Sequence, residues 1–192
     1  MTGINFSLRT CACVGLLLVC AVTTSAQRRR DPLTQPEIDQ VRDASWEPQQ
    51  RLTLYVKFAR ARLVKLEEMR NDPKSKDRGQ QTHDMLDDFL LIYDELNDNL
   101  DTYVDRRDDI RKPLKTVIEA DTEFQAKLRA LKDASGVPAE EPKLYEFVLT
   151  NALETLDSSA EEHRTLLTEQ EEAAKQKKLN PRSNAKSSGR PE

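Results

Sequence analysis

The sequence predicts an all-α protein, and three observations support this fold class. Only five glycines occur in 192 residues, one third of the residues are charged, and 5% are aromatic. Such a composition is typical of long helices and coiled coils. Apolar residues also recur in alternating steps of three and four, which places them along one side of a helix. We therefore expect elongated, antiparallel helical hairpins in a coiled-coil-like bundle, built on one long, kinked central helix.

The first 26 residues are predicted to be a secretory signal peptide and not part of the fold. The apolar stretch from Cys11 to Val22 contains 12 residues, which is shorter than the ~20 residues needed to span a bilayer. Small residues precede Gln27, so we expect cleavage there, followed by a basic linker over residues 27–33. The three consecutive arginines of this linker favour the alternative, a signal that is retained as a membrane anchor.

The positions of the cysteines are also consistent with an exported protein. All three, Cys11, Cys13 and Cys20, lie inside the predicted signal, so the mature chain can form no internal disulfide and no thiolate metal site. Residues 27–192 also contain no Asn-x-Ser/Thr glycosylation sequon. We expect an exported protein, periplasmic or secreted, with a bacterial envelope favoured and no transmembrane segment after cleavage.

Two helices are predicted before residue 72. Thr34 and Glu37 have the spacing of a capping box, which predicts a short helix over residues 34–44. A second helix is predicted over residues 46–70, with Pro48 in its first turn, where a missing N–H has no cost. Its apolar stripe consists of Leu52, Val56, Ala59, Leu63 and Leu66.

The longest apolar pattern runs from Leu86 to Leu131. Alternating steps of three and four give fourteen positions, and twelve of these are apolar or aromatic. Such a seam is typical of a helix that lies along a partner helix in a left-handed supercoil. Because the phase agrees on both sides of Pro113, we expect one kinked helix over residues 82–133. A break at Pro113 is the alternative.

The two charged positions of this seam, Arg107 and Asp121, are expected to set the register between helices. The last helix is predicted over residues 138–174, and its seam residue His163 is expected to meet the long helix near Asp108 or Asp109. Residues 175–192 are basic and poor in apolar residues, so they are predicted to be a disordered tail.

Short connections favour antiparallel neighbours. We expect the second helix to fold back on the first half of the long helix, and the last helix to fold back on its second half.

The long helix is strongly acidic. Between residues 84 and 109 there are nine aspartates and one glutamate against two arginines. Most of these aspartates are offset by two residues from the seam, and an offset of about 200° places them on the solvent side. We refer to four of them as the acidic ridge: Asp94, Asp98, Asp101 and Asp105. The ridge is either a solubilising face or a surface for a basic partner or for cations. Because calcium sites need carboxylates that converge from a tight loop, any cation binding here is expected to be weak.

The second helix is basic, with nine lysines and arginines against four acidic residues between residues 51 and 78. We expect it to lie beside the acidic helix and to form flanking ion pairs with it. Since these cations have an acidic neighbour in the same chain, nucleic-acid binding is not expected.

Nothing in the sequence resembles a catalytic site. The two histidines, His83 and His163, both lack the glutamate three residues earlier that di-iron bundles use. A glycine-rich phosphate loop and a nucleophile elbow are missing as well. We expect no enzymatic activity, no metal and no cofactor.

The leading hypothesis is an exported, non-enzymatic helical protein of the cell envelope that acts as a scaffold or protein-binding module for an unidentified protein partner. One alternative is a periplasmic holdase chaperone or adaptor, and another is a weak cation binder that uses the ridge. A large exposed apolar patch would favour the holdase, and a fully covered seam would favour the scaffold. The expected contact zones are the acidic ridge and, in the polar half of the last helix, Leu166 and Leu167.

Overall fold

A computed structural model describes residues 31–179, which form six α-helices and no strand. The helices are α1 (Gln35–Asp43), α2 (Pro48–Asn71), α3 (Arg78–Asp105), α4 (Arg111–Lys132), α5 (Glu140–Lys143) and α6 (Glu146–Leu179). The four long helices α2, α3, α4 and α6 surround one hydrophobic core. The predicted all-α class and the bundle arrangement are confirmed. The predictions for residues 1–30 and 180–192, namely the signal peptide, the first part of the linker and most of the basic tail, lie outside the described residues.

The first helix begins at the predicted capping box. The backbone N–H of Thr34 donates to Glu37 Oε2 at 2.8 Å. The next helix, α2, begins at Pro48, two residues later than predicted, because proline fits the first helical position, where its missing N–H is not needed. The predicted apolar stripe of α2 is buried at all five positions.

The predicted single helix over residues 82–133 is wrong. The structure has two helices here, since α3 ends at Asp105 and α4 begins at Arg111. Tyr93 of α3 donates its hydroxyl hydrogen to Asp121 Oδ1 of α4 at 2.7 Å. In one continuous helix these residues would lie about 42 Å apart, at 1.5 Å per residue. The chain therefore reverses direction between α3 and α4.

The reversal begins with a Schellman motif, in which Arg107 occupies the position usually held by glycine. Its N–H donates to Val104 O at 2.8 Å, and the N–H of Asp108 donates to Tyr103 O at 3.0 Å. Arg107 has a φ of 61°, a left-handed conformation that costs a non-glycine residue about 1–2 kcal/mol. Pro113, predicted to kink a helix, is instead the third residue of α4, where no N–H donor is required.

The apolar seam keeps the same phase in α3 and α4 because both helices face the same core, and not because they form one helix. The exposed Arg107 lies in the connection and therefore sets no helix register. Twelve seam positions are buried: Leu86, Phe89, Tyr93, Leu96, Leu100, Tyr103, Ile110, Leu114, Val117, Asp121, Phe124 and Leu128.

The packing of neighbouring helices agrees with the predicted hairpins. Helix α2 packs most extensively on α3, and α4 packs most extensively on α6, in each case antiparallel. Two further contacts close the bundle, because α2 lies parallel to α4 and α3 lies parallel to α6. Helices α3 and α4 thus occupy diagonal positions and meet through large side chains at the centre. There the rings of Phe89 and Phe124 are 5.4 Å apart, edge to face.

The predicted last helix is divided into α5 and α6, and α5 packs closely on α3. A Cβ atom at Gly79 would lie 2.6 Å from Leu144 Cδ1 and 3.1 Å from Glu141 O, so a larger residue here would require the Leu144 side chain and the Glu141 backbone to shift. Helix α6 continues to Leu179, and residues 175–179 of the predicted disordered tail are therefore helical. Among the helices of residues 31–179, none has the combination of length and apolar character that crossing a bilayer requires.

Candidate functional site

A buried polar cluster lies at the centre of the bundle and joins three helices. Asp121 of α4 accepts a hydrogen bond from Tyr93 of α3, and its other oxygen, Oδ2, is 2.8 Å from Nδ1 of His163 on α6. Asp121 is 0% exposed and His163 is 5% exposed. We call these three residues the core polar cluster.

The surroundings of the core polar cluster hold Tyr93 in its protonated form. Burial raises the pKa of the Tyr93 phenol, and the nearby charge of Asp121 raises it further. The ring of Tyr93 also packs 5.9 Å from that of Phe89 and 6.5 Å from that of Phe124. Because side chains from α3 and α6 contact the two oxygens of Asp121, the cluster links three helices at the centre of the bundle.

The position of His163 corrects one prediction. Its partner is Asp121 and not Asp108 or Asp109, because α6 begins at Glu146, after a connection that contains α5, and not at residue 138 as predicted, which shifts its antiparallel register against α4. Gln170 is the α6 residue that reaches the α3–α4 connection. Its Nε2 donates to Asp108 O at 3.3 Å, and its Oε1 accepts from the N–H of Ile110 at 3.1 Å.

The acidic ridge lies on the solvent side of α3, and all four of its residues are exposed. Within residues 31–179, no lysine, arginine or histidine forms an ion pair with Asp98, Asp101 or Asp105. The role of the ridge as a contact surface stays a prediction.

Within residues 31–179, α2 forms no ion pair with Asp98, Asp101 or Asp105, although it packs against α3. Three of its arginines pair with α1, α4 and α5 instead, so the predicted flanking ion pairs are not formed at these three ridge positions. The three pairs from α2 arginines are Arg60 to Glu123 at 2.9 Å, Arg62 to Glu37 at 2.6 Å, and Arg70 to Glu141 at 2.8 Å.

The second predicted contact zone is only half accessible. Leu166 and Leu167 are partly buried and pack against the edge of the core. A partner could therefore reach only part of each side chain.

A further charged feature lies where the α3–α4 connection meets the last turns of α6. It is a concavity of about 500 Å³ whose lining includes four cationic side chains. We call it the basic concavity and define it by Arg107, Arg111, Lys177 and Lys178. The sequence analysis missed it because its residues come from two distant segments, one of which was assigned to a disordered tail.

One carboxylate of this region is held by an arginine. Hydrogen bonding from Arg111 lowers the pKa of Asp109 to about 2, although slight burial acts in the opposite direction. Asp109 therefore stays ionised and keeps Arg111 in place.

Comparison with known proteins identifies no relative. No protein-family model matches the sequence, no curated protein is significantly similar to it, and no solved structure matches it. The function must therefore be inferred from the side chains themselves.

Proposed function

We propose that this protein is exported to the bacterial cell envelope and acts without catalysis, as a scaffold or protein-binding module. The observation that carries the proposal is the acidic ridge, which is exposed and in which Asp98, Asp101 and Asp105 form no ion pair within residues 31–179. Like charges three and four residues apart slightly oppose helix formation, so the ridge does not stabilise α3. A partner with a complementary basic surface would relieve this repulsion and would be guided to the ridge electrostatically.

The distribution of apolar side chains favours the scaffold over a holdase. A holdase needs a contiguous exposed apolar surface, whereas the seams of this bundle are turned into its core. Of the large apolar side chains that are exposed in the described region, only two are close in sequence, Leu144 and Phe147. The full set is Trp46, Val64, Leu144, Phe147 and Leu179.

The geometry gives little support to a cation binder. Within residues 31–179, no three acidic, histidine or cysteine side chains come together in a group that could hold a metal ion. The ridge residues follow one another along a helix, so a cation would meet only one or two carboxylates at a time.

The test is capture of a partner from envelope extract by chemical cross-linking, with identification by mass spectrometry. Replacing all four ridge aspartates with asparagine should abolish capture of the partner that the wild-type protein cross-links. A matched control removes four exposed acidic charges from α6 instead: Glu161, Glu162, Glu169 and Glu172, each replaced by glutamine. If both variants capture the same partner as the wild type does, the ridge is only a solubilising face. Saturable turnover of a small molecule by the purified protein would contradict the non-enzymatic proposal.

Export is tested separately, by N-terminal sequencing of the protein recovered from cell fractions. Cleavage before Gln27 should give a chain that begins with the sequence QRRR. Recovery of a chain that keeps Met1 in the membrane fraction would show that residues 1–26 serve as an anchor.

A further inference from the structure

The basic concavity has the size and the charge of a site for a small anion. Its volume of about 500 Å³ lies within the range of ligand pockets in proteins. We propose that it binds a phosphate group, carried either by a soluble anion or by a lipid headgroup. This inference does not depend on the acidic ridge.

The ion pairs around the basic concavity leave it positively charged. Asp109 accepts hydrogen bonds from Arg111 at 2.8 and 2.5 Å, and Asp108 lies 3.3 Å from Arg106. Each acidic residue of the lining therefore has a cation beside it, although Asp108 Oδ2 forms no hydrogen bond within the described residues. Three cations of the lining form no ion pair with any residue in the described part of the chain: Arg107, Lys177 and Lys178.

The conformation of Arg107 is the observation that points most directly to a ligand. The Schellman motif needs a residue with positive φ, and glycine provides this without strain. Arginine adopts the conformation at a cost, and its exposed side chain forms no hydrogen bond or ion pair within residues 31–179. The guanidinium group therefore contributes nothing to the stability of the turn. It could instead bind a phosphate, because guanidinium groups bind phosphate through paired hydrogen bonds. Strained residues of this kind are concentrated at binding sites.

The basic concavity is also held open by its neighbours. Gln170 hydrogen-bonds to the backbone at Asp108 and at Ile110, which fixes the α3–α4 connection against α6. One helical turn later, the lining residues Ala173 and Ala174 have small side chains that leave space for a ligand. The backbone segments that carry these cations are therefore fixed relative to each other before a ligand arrives, which lowers the entropic cost of binding.

The test is an NMR titration of the purified protein with inorganic pyrophosphate. Wild-type amide resonances of residues 107–112 and 170–178 should shift together and saturate. Arg107→Gly should weaken binding at least about tenfold, since the charged hydrogen bonds of the guanidinium group are lost, while the unfolding midpoint stays unchanged or rises. The control is Lys65→Ala, which removes an exposed positive charge from α2 and should leave binding unchanged.

A second variant and a second probe make the result decisive. Replacing Lys177 and Lys178 together with alanine changes only exposed residues of the last turn of α6 and should also weaken binding. Co-sedimentation with phosphatidylglycerol vesicles, but not with phosphatidylcholine vesicles, assigns a lipid headgroup if it requires Arg107. Pyrophosphate binding without vesicle binding assigns a soluble anion. The proposal is overturned if neither probe binds, or if Lys65→Ala weakens binding as much as Arg107→Gly does.

Discussion

Asp121 and the acidic ridge place the same side chain in opposite surroundings. Asp121 is fully buried, and both of its oxygens contact the protein, whereas the ridge aspartates are exposed on α3. A buried carboxylate must have partners, because an uncompensated charge in the core costs several kcal/mol. An exposed carboxylate is hydrated and needs none. The comparison shows that position in the helical repeat, and not residue type, determines whether an aspartate stabilises the core or is exposed to solvent.

The largest change in the free energy of unfolding is expected when the core polar cluster is disrupted. Replacing Asp121 with alanine leaves the Tyr93 hydroxyl and the His163 ring without their acceptor. We expect the free energy of unfolding, measured by urea denaturation, to fall by about 3–5 kcal/mol. The matched control on the ridge, Asp101→Ala, should change it by no more than about 0.5 kcal/mol. Similar losses in the two variants would remove the distinction between core and ridge.

Glu37 is an intermediate case, because its side chain is 14% exposed and lies 2.6 Å from Arg62. Partial burial acts to raise the pKa of Glu37, but hydrogen bonds from Arg62 and Thr34 outweigh it and lower the pKa to about 2. Since this value is below that of an unfolded chain, the stabilisation is complete above about pH 5 and is lost as the pH falls toward 2.

We expect this pair to contribute about 1–2 kcal/mol, which is more than a fully exposed ion pair provides. The measurement compares unfolding free energies at pH 6 and pH 3 for the wild type and for Glu37→Gln, in which the acid-dependent loss should be smaller. Glu146→Gln, an exposed residue of α6, serves as the control. Parallel pH profiles for the wild type and Glu37→Gln would show that the pair does not stabilise the fold.

The smallest change in the free energy of unfolding is expected for substitutions in the ridge itself. Replacing all four ridge aspartates with asparagine should leave helicity unchanged in circular dichroism. Each substitution should alter the free energy of unfolding by no more than about 0.5 kcal/mol, with a gain at low salt as repulsion is removed. A loss of several kcal/mol would mean that the ridge has an unrecognised structural role.

The apolar positions were predictable from the sequence because period and burial are directly linked. Twelve of the fourteen seam positions are buried, and the offset of the ridge correctly predicted its exposure. The reversal between α3 and α4 was missed for a physical reason. A helix end is usually recognised by glycine, and Arg107 stands in its place here.

The error about the partner of His163 has a different cause. A short turn after residue 133 was assumed, which placed His163 near Asp108, whereas the longer connection that contains α5 shifts α6 along α4 and brings His163 to Asp121. The basic concavity could not be predicted either, because it exists only when the connection and the end of α6 are brought together in space.

The diagonal placement of α3 and α4 has a consequence for the kinetics of folding. Each antiparallel pair, α2 with α3 and α4 with α6, is formed by segments close in sequence, so each can form early from local contacts. The core polar cluster draws on both pairs and can be completed only after they dock. Interactions that form after the transition state slow unfolding without accelerating folding. We therefore expect Asp121 to affect mainly the lifetime of the folded bundle, and much less the rate at which it forms.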